Sequence, residues 1–222
     1  MEVIKDKKEY LRIIVQAAAL YKENLLNKNM LIIYEKQKKQ YFYLDILFLK
    51  RQFLHLTGVE TNNNISSKDF FEKCINRKLT VEDFGVEDTW TTTKKMNVII
   101  PTMSIYKNAK MVGDFQSNST CGKLYTEKIV GNERGCLGFK LDEKSNYMIP
   151  NTLLQEDIRD ITTKSNKLMA IYMKDVKDPL YNHMCYLAKG IELEECCWNK
   201  EIEEKIADKE NLIIDFKRAE LV

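Results

Sequence analysis

The chain has 222 residues, 44% hydrophobic and 31% charged, with three prolines, eight glycines and a net charge of +2. Such a composition excludes a disordered chain, supplies a sizeable core, and leaves little glycine or proline for a linker. With Lys+Arg 35 against Asp+Glu 33, a strongly basic surface is excluded too, so any nucleic-acid role must come from local charge.

In chain order, residues 9–26 place Leu11, Ile14, Val15, Ala18, Ala19, Leu25 and Leu26 at three- and four-residue steps, which predicts an amphipathic helix. Asn27-Lys28-Asn29 ends it. Apolar runs at 30–34 and 41–49 flank the charged turn 35–39 and predict a β-hairpin packed on that helix. Phe53-Leu54-His55-Leu56-Thr57-Gly58 then places His55 where a strand gives way to a loop, and 60–64 is loop. Ser66 or Ser67 caps a helix to about residue 77, with Asp69 favourable in its first turn. Residues 80–83 look like a second capped start of one or two turns. The stretch 89–95 is polar and irregular, and 96–112 forms a further helix, entered near Pro101 and ended by Gly113.

Strands follow at 123–130, 136–141 and 147–149, the last two joined by a turn at 142–146, while 151–159 is one helical turn or a lead-in. Further strands at 168–173 and 183–188, a charged helix at 198–207 and a final strand at 211–216 complete the pattern. The links between the late strands are too short for crossover helices. The expected fold class is therefore α+β, with helices packed on a largely antiparallel sheet in a single domain over residues 1–222.

Basic residues cluster at Lys5, Lys7, Lys8 and Arg12 and again at Lys36, Lys38 and Lys39. Acidic ones gather late, at Glu192, Glu194, Glu195, Glu201, Glu203 and Glu204. A basic face opposite an acidic helix and a merely solvated surface are both open. Cys74, Cys121, Cys136, Cys185, Cys196 and Cys197 form no C-x-x-C pair and stand at no zinc spacing from either histidine. They read as free thiols in a reducing cytoplasm, and no export signal or membrane span is recognisable. Phosphate-loop, dinucleotide, G-x-S-x-G and H-E-x-x-H patterns are all absent, which argues against a nucleoside triphosphatase, a Rossmann dehydrogenase, an α/β hydrolase and a zinc peptidase.

Three places carry chemistry. His55 offers proton transfer near neutral pH, or is a structural histidine bonded to backbone at the edge of the core; His183 leans to the structural reading. In Lys123-Leu124-Tyr125-Thr126-Glu127-Lys128, alternation splits Lys123, Tyr125 and Glu127 from Leu124, Thr126 and Lys128, and a lysine on an inward face needs an anion. In 150–159, Asn151 and Thr152 either donate to a ligand or cap a helix. Arg159 there either meets phosphate or pairs with Asp157 or Glu156.

These segments also carry a resemblance. Phe53-Leu54-His55-Leu56-Thr57-Gly58, Ser67-Lys68-Asp69-Phe70-Phe71, Glu127-Lys128-Ile129-Val130-Gly131, Cys136-Leu137-Gly138-Phe139 and Pro150-Asn151-Thr152 through Asp157-Ile158-Arg159 look, in this order, like a family of phage-borne nuclease-like domains. That family is grouped with the Barnase–EndoU–colicin–RelE fold, and the likeness covers about residues 10–191, leaving 192–222 as a charged helix and tail. It implies N-terminal helices on an antiparallel sheet of four or more strands. It also implies RNA cleavage without a metal or other cofactor, the ribose 2′-OH attacking the adjacent phosphorus. In that chemistry His55 is the acid or base, Lys128 and Arg159 stabilise the phosphate and Thr152 orients it. Tyr125 stacks a base, and Thr57, Lys68 and Asn151 touch the substrate. The expected partner is RNA, with a cognate inhibitor also open. The competing reading is a non-catalytic inhibitor or defence component that uses the same fold as a binding surface.

Overall fold

The computed structural model describes residues 6–62, 64–116, 125–192 and 196–215. Lys5, Cys121, Lys123, Leu124, Glu194, Glu195 and Phe216 lie outside the described residues. Helix α1 (Lys7–Asn24) starts at Asp6, whose carboxylate accepts from the Lys8 amide at 2.8 Å and satisfies one of the unpaired donors of the first turn. Its apolar stripe, Tyr10, Ile13, Ile14, Ala17, Ala18 and Tyr21, is buried. The Tyr21 ring meets Phe53 and Phe71 at centroid distances of 5.4 and 5.8 Å, and its hydroxyl donates to the Leu49 carbonyl at 2.9 Å. That aromatic knot ties α1 to the segment carrying His55.

Strands β1 (Lys28–Gln37) and β2 (Gln40–Leu47) form the expected hairpin. A one-turn 3-10 helix (Lys50–Gln52) and the short α2 (Phe53–Thr57) follow, then β3 (Glu60–Thr61), which pairs only with β4 (Phe84–Gly85). Between these two lies α3 (Ser67–Ile75), capped by Ser66, whose side-chain oxygen accepts from the Asp69 amide at 3.2 Å. Helices α4 (Thr89–Thr102) and α5 (Ile105–Asn108) lead into β5 (Met111–Phe115). The remaining strands are β6 (Lys128–Gly131), β7 (Cys136–Asp142), β8 (Tyr147–Leu154), β9 (Thr162–Asp175), β10 (His183–Leu187) and β11 (Ile213–Ile214), with α6 (Lys200–Glu203) before β11.

Nine strands share one sheet in the order β1-β2-β8-β7-β6-β5-β9-β10-β11, and β1 also pairs with β9, so seven strands close a ring. Its weakest seam is the parallel β2–β8 contact, registered at the single pair Ile46↔Met148. The β10–β11 pairing is parallel as well, and the other pairings between these described strands are antiparallel. The main core packs α1, α2, α3 and α4 on Met30, Ile32, Val112, Val130, Leu137, Phe139 and Ile171. On the opposite face, Leu31, Ile33 and Tyr172 meet Trp198 and Ile202 of the C-terminal segment, and Ile129 and Cys136 meet Ile158 and Ile161. Alternation along β1 and β6 feeds both layers, as a sheet buried on two sides requires.

The α+β expectation stands, and several local expectations do not. Residues 89–95 are the first half of α4, because Asp88 accepts from the Trp90 and Thr91 amides at 3.0 and 3.1 Å and caps it. The expected helix at 96–112 ends at Thr102, and its last part is strand β5, held by β6 on one side and β9 on the other. Residues 80–83 form a turn closed on the Asp83 carboxylate rather than a helix. His55 rides on α2, not at a strand end. Asn151 and Thr152 belong to β8, and the helix expected at 198–207 shortens to α6. The described cysteines are free thiols, and no described helix is long and apolar enough to cross a membrane.

Candidate active site

Helix α2 is only five residues long, and burial of Phe53, Leu56 and Thr57 turns His55 outward. Gly58 ends the helix at φ +74, a conformation that favours glycine, and a Cβ there would meet Lys95 Cδ at 2.8 Å and displace that side chain. That close approach stitches α2 to α4. Thr92 Oγ1 donates to the Gly58 carbonyl at 2.7 Å, and Lys95 Nζ donates to the His55 carbonyl at 2.9 Å. Burial of the Lys95 ammonium at this junction lowers its pKa from 10.5 to about 8. The His55 ring reaches the surface. Its pKa is also lowered from 6.5, first because neighbouring protein displaces part of its hydration, then by the positive charges of Lys140 and Lys95. Near pH 7 the imidazole is therefore mostly neutral and able to accept a proton.

Lys140 belongs to β7, whose pairing with β8 forms a notch in the sheet. Across β7 and β8, Gly138 pairs with Thr152 but Phe139 pairs with Pro150, so Asn151 is the extra residue of a β-bulge. The bulge leaves the Asn151 side chain bonded to the preceding chain. Its Nδ2 donates to the Tyr125 carbonyl at 2.6 Å, and its Oδ1 accepts from Thr126 Oγ1 at 3.3 Å. A Cβ on Gly138 would meet Thr152 Cγ2 at 2.6 Å and Thr126 Cγ2 at 2.8 Å, so glycine is what lets these two threonines close over the strand. Two residues along β7, on the same face by alternation, stands the exposed Lys140. Tyr125 beside the notch is 90% exposed.

The structure thus groups Tyr125, Asn151 and Thr152 at the β7–β8 bulge, where Thr126 and Thr152 meet Gly138 on the Ile129 face, whereas α2 packs on the opposite face; Lys140 and Lys95 are the charged neighbours of His55. Thr152 is buried against Gly138, so it shapes the notch. The other expected site residues lie elsewhere. Lys128 points to the opposite face of the sheet from Ile129, beside Val130, and is paired with Asp114. Arg159 lies in the turn that covers Ile129 and Cys136, with its guanidinium clamped by Asp157, Nε to Oδ1 at 2.9 Å. This is the ion-paired alternative of the sequence reading. Thr57 is fully buried and donates to the Leu54 carbonyl at 2.7 Å, which corrects its expected contact with a ligand. Lys68 is exposed in the first turn of α3.

Lys95 and Lys140 are the cations that sequence reasoning missed. Lys95 fell in a stretch taken as irregular, although Asp88 ahead of Trp90 and Thr91 is a legible helix cap. Nothing in the sequence distinguishes Lys140 from the other lysines; only the fold makes it a charged neighbour of His55, on the strand paired to β8, which packs against α2. Among the described residues no group of three histidine, cysteine or acidic side chains is placed to hold a metal ion.

Searches of the curated proteins and of the solved structures return no significant match. Residues 13–190, which include α2, α4 and the bulged β7–β8 pair, match the profile of the family described as phage-Barnase-EndoU-ColicinE5/D-RelE like nuclease 4. Covering most of the chain, that match shows that the protein belongs to this nuclease family.

Proposed function

We propose that the protein is a metal-independent endoribonuclease and that His55, Lys95 and Lys140 form its reaction centre. The observation that carries this reading is a surface imidazole on α2 whose charged neighbours are two lysines, Lys95 bonded to the His55 backbone carbonyl and Lys140 on β7. Cleavage by transesterification moves few atoms. The 2′-oxygen bonds to phosphorus, the bond from phosphorus to the 5′-oxygen breaks, and the products are a 2′,3′-cyclic phosphate and a free 5′-OH. His55 takes the proton from the 2′-OH. Lys95, a stronger acid than an ordinary lysine, gives one to the departing 5′-oxygen. Lys140 supplies fixed positive charge to the phosphorane, the term that most often dominates such catalysis. Water then returns both proton carriers to their starting states.

The test is direct. Purified protein is incubated with total RNA in EDTA beside His55→Ala, and the new 3′-ends are typed. Cyclic-phosphate ends that form in chelator and disappear in the variant support the proposal. RNA that stays intact at high protein concentration removes it and favours the non-catalytic binding module.

A further inference from the structure

The geometry points to a nucleobase subsite at Trp90, an aromatic platform for single-stranded RNA next to the reaction centre; this rests on the ribonuclease reading and deepens it. Tryptophan is the costliest side chain to leave in water, yet Trp90 is 67% exposed, whereas Trp198 is only 8% exposed and donates from Nε1 to Tyr172 at 3.3 Å. Three contacts hold the exposed ring in place. The Asp88 carboxylate anchors its amide at 3.0 Å, the Lys94 ammonium lies 5.2 Å from its ring centroid, and Lys94 is itself fixed by Glu156 at 2.8 Å. An exposed indole adds little to folding, but it suits a ligand that is flat and π-rich, and an unpaired nucleobase is both; the Lys94 charge beside it is already held by Glu156.

Its position supports the same assignment. Trp90 and Lys95 share α4, about 7.5 Å apart along the axis and about 140° apart around it, so the indole stands on the flank of the helix toward Glu156 while Lys95 faces α2. A base stacked on Trp90 therefore belongs to a nucleotide flanking the scissile one, reached around the helix. Stacking tolerates any base but requires an unpaired one, so the subsite selects single strands over duplex without imposing a sequence.

Two measurements test this. In a His55→Ala background, a mixed-sequence single-stranded oligoribonucleotide should quench tryptophan emission saturably. The quench should vanish with an added Trp90→Phe, because the remaining Trp198 is buried. In the active enzyme, Trp90→Ala should raise KM about tenfold and leave kcat within about twofold, with Trp90→Tyr restoring most of the loss. The same oligonucleotide in a duplex should quench at least tenfold more weakly. Cleavage by the wild type with no quench, or with KM unchanged in Trp90→Ala, overturns the subsite and leaves the ribonuclease reading standing. Quenching without cleavage keeps the subsite and removes the ribonuclease. A protein that neither quenches nor cleaves removes both.

Discussion

The two histidines of this chain sit in opposite surroundings. His55 stands on a five-residue helix with Lys95 and Lys140 as its charged neighbours. His183 opens β10 and lines a cleft of about 250 Å³ with Asp175, Asp178 and Asp215, alongside Lys28 and Lys174. A phosphodiester approaching His183 meets three carboxylates along with two lysines, whereas the charges that act on His55 are the ammonium groups of Lys140 and Lys95. Equal imidazoles thus acquire unequal chemistry from the charges the fold places around them.

The largest effect that would break this contrast comes from removing each ring in turn. His55→Ala should lower kcat/KM on single-stranded RNA by about 100-fold or more, the usual worth of a positioned acid or base, while His183→Ala stays within about twofold. Equal losses would mean that the His183 cleft is part of the chemistry. Next comes Lys95→Met, expected to cost about 10- to 100-fold in kcat and yet to stabilise the fold. The sign follows from linkage. Lys95 in the native state has a pKa of about 8 against 10.5 when solvated, so the unfolded chain binds more protons between those values and stability rises with pH across them. Below pH 8 the full penalty of a buried ammonium is present, and methionine relieves it by about 1–3 kcal/mol, which a thermal melt at pH 7 would register.

The pH profile sharpens the same contrast. With His55 as base and Lys95 as acid, kcat/KM should be bell-shaped, with an acidic limb below 6.5 and an alkaline limb at about 8. In Lys95→Arg the alkaline limb should move out of range; if it persists, another group is the acid. The smallest effects belong to the cations that the fold has neutralised. Lys128→Met and Arg159→Ala should change kcat/KM by less than about threefold, since Asp114 and Asp157 already hold those charges. A loss above tenfold in Arg159→Ala would return that guanidinium to the phosphate.

Legibility varied with the range of the deciding interactions. Helix α1 and the β1–β2 hairpin were readable because their periodicity and turn lie within one stretch of chain, and α3 because Ser66 caps it locally. Strand β5 was not. Met111–Phe115 continues a helix-compatible run, and only β6 and β9, both later in the chain, pull it into the sheet. The buried Thr92 and Thr93 made α4 look like polar loop, but their hydroxyls are bonded, Thr92 to Gly58 and Thr93 to Thr89 at 2.6 Å. For the candidate site, His55 and the Tyr125, Asn151 and Thr152 segment stand out in the sequence, whereas Lys95 and Lys140 become neighbours of His55 only through the fold.

Residue identity alone determined the α+β class and the family, and narrowed the candidates for a proton-transferring ring to two, because hydrophobic period, ordered short motifs and the scarcity of histidine are properties of the string. Tertiary structure decided which positive charges remain available. A lysine carries the same ammonium wherever it stands, but desolvation at the α2–α4 junction makes Lys95 acidic, and an adjacent carboxylate cancels Lys128 and Arg159. Both effects fall off over a few ångströms and depend on neighbours far along the chain, so only the folded arrangement fixes them.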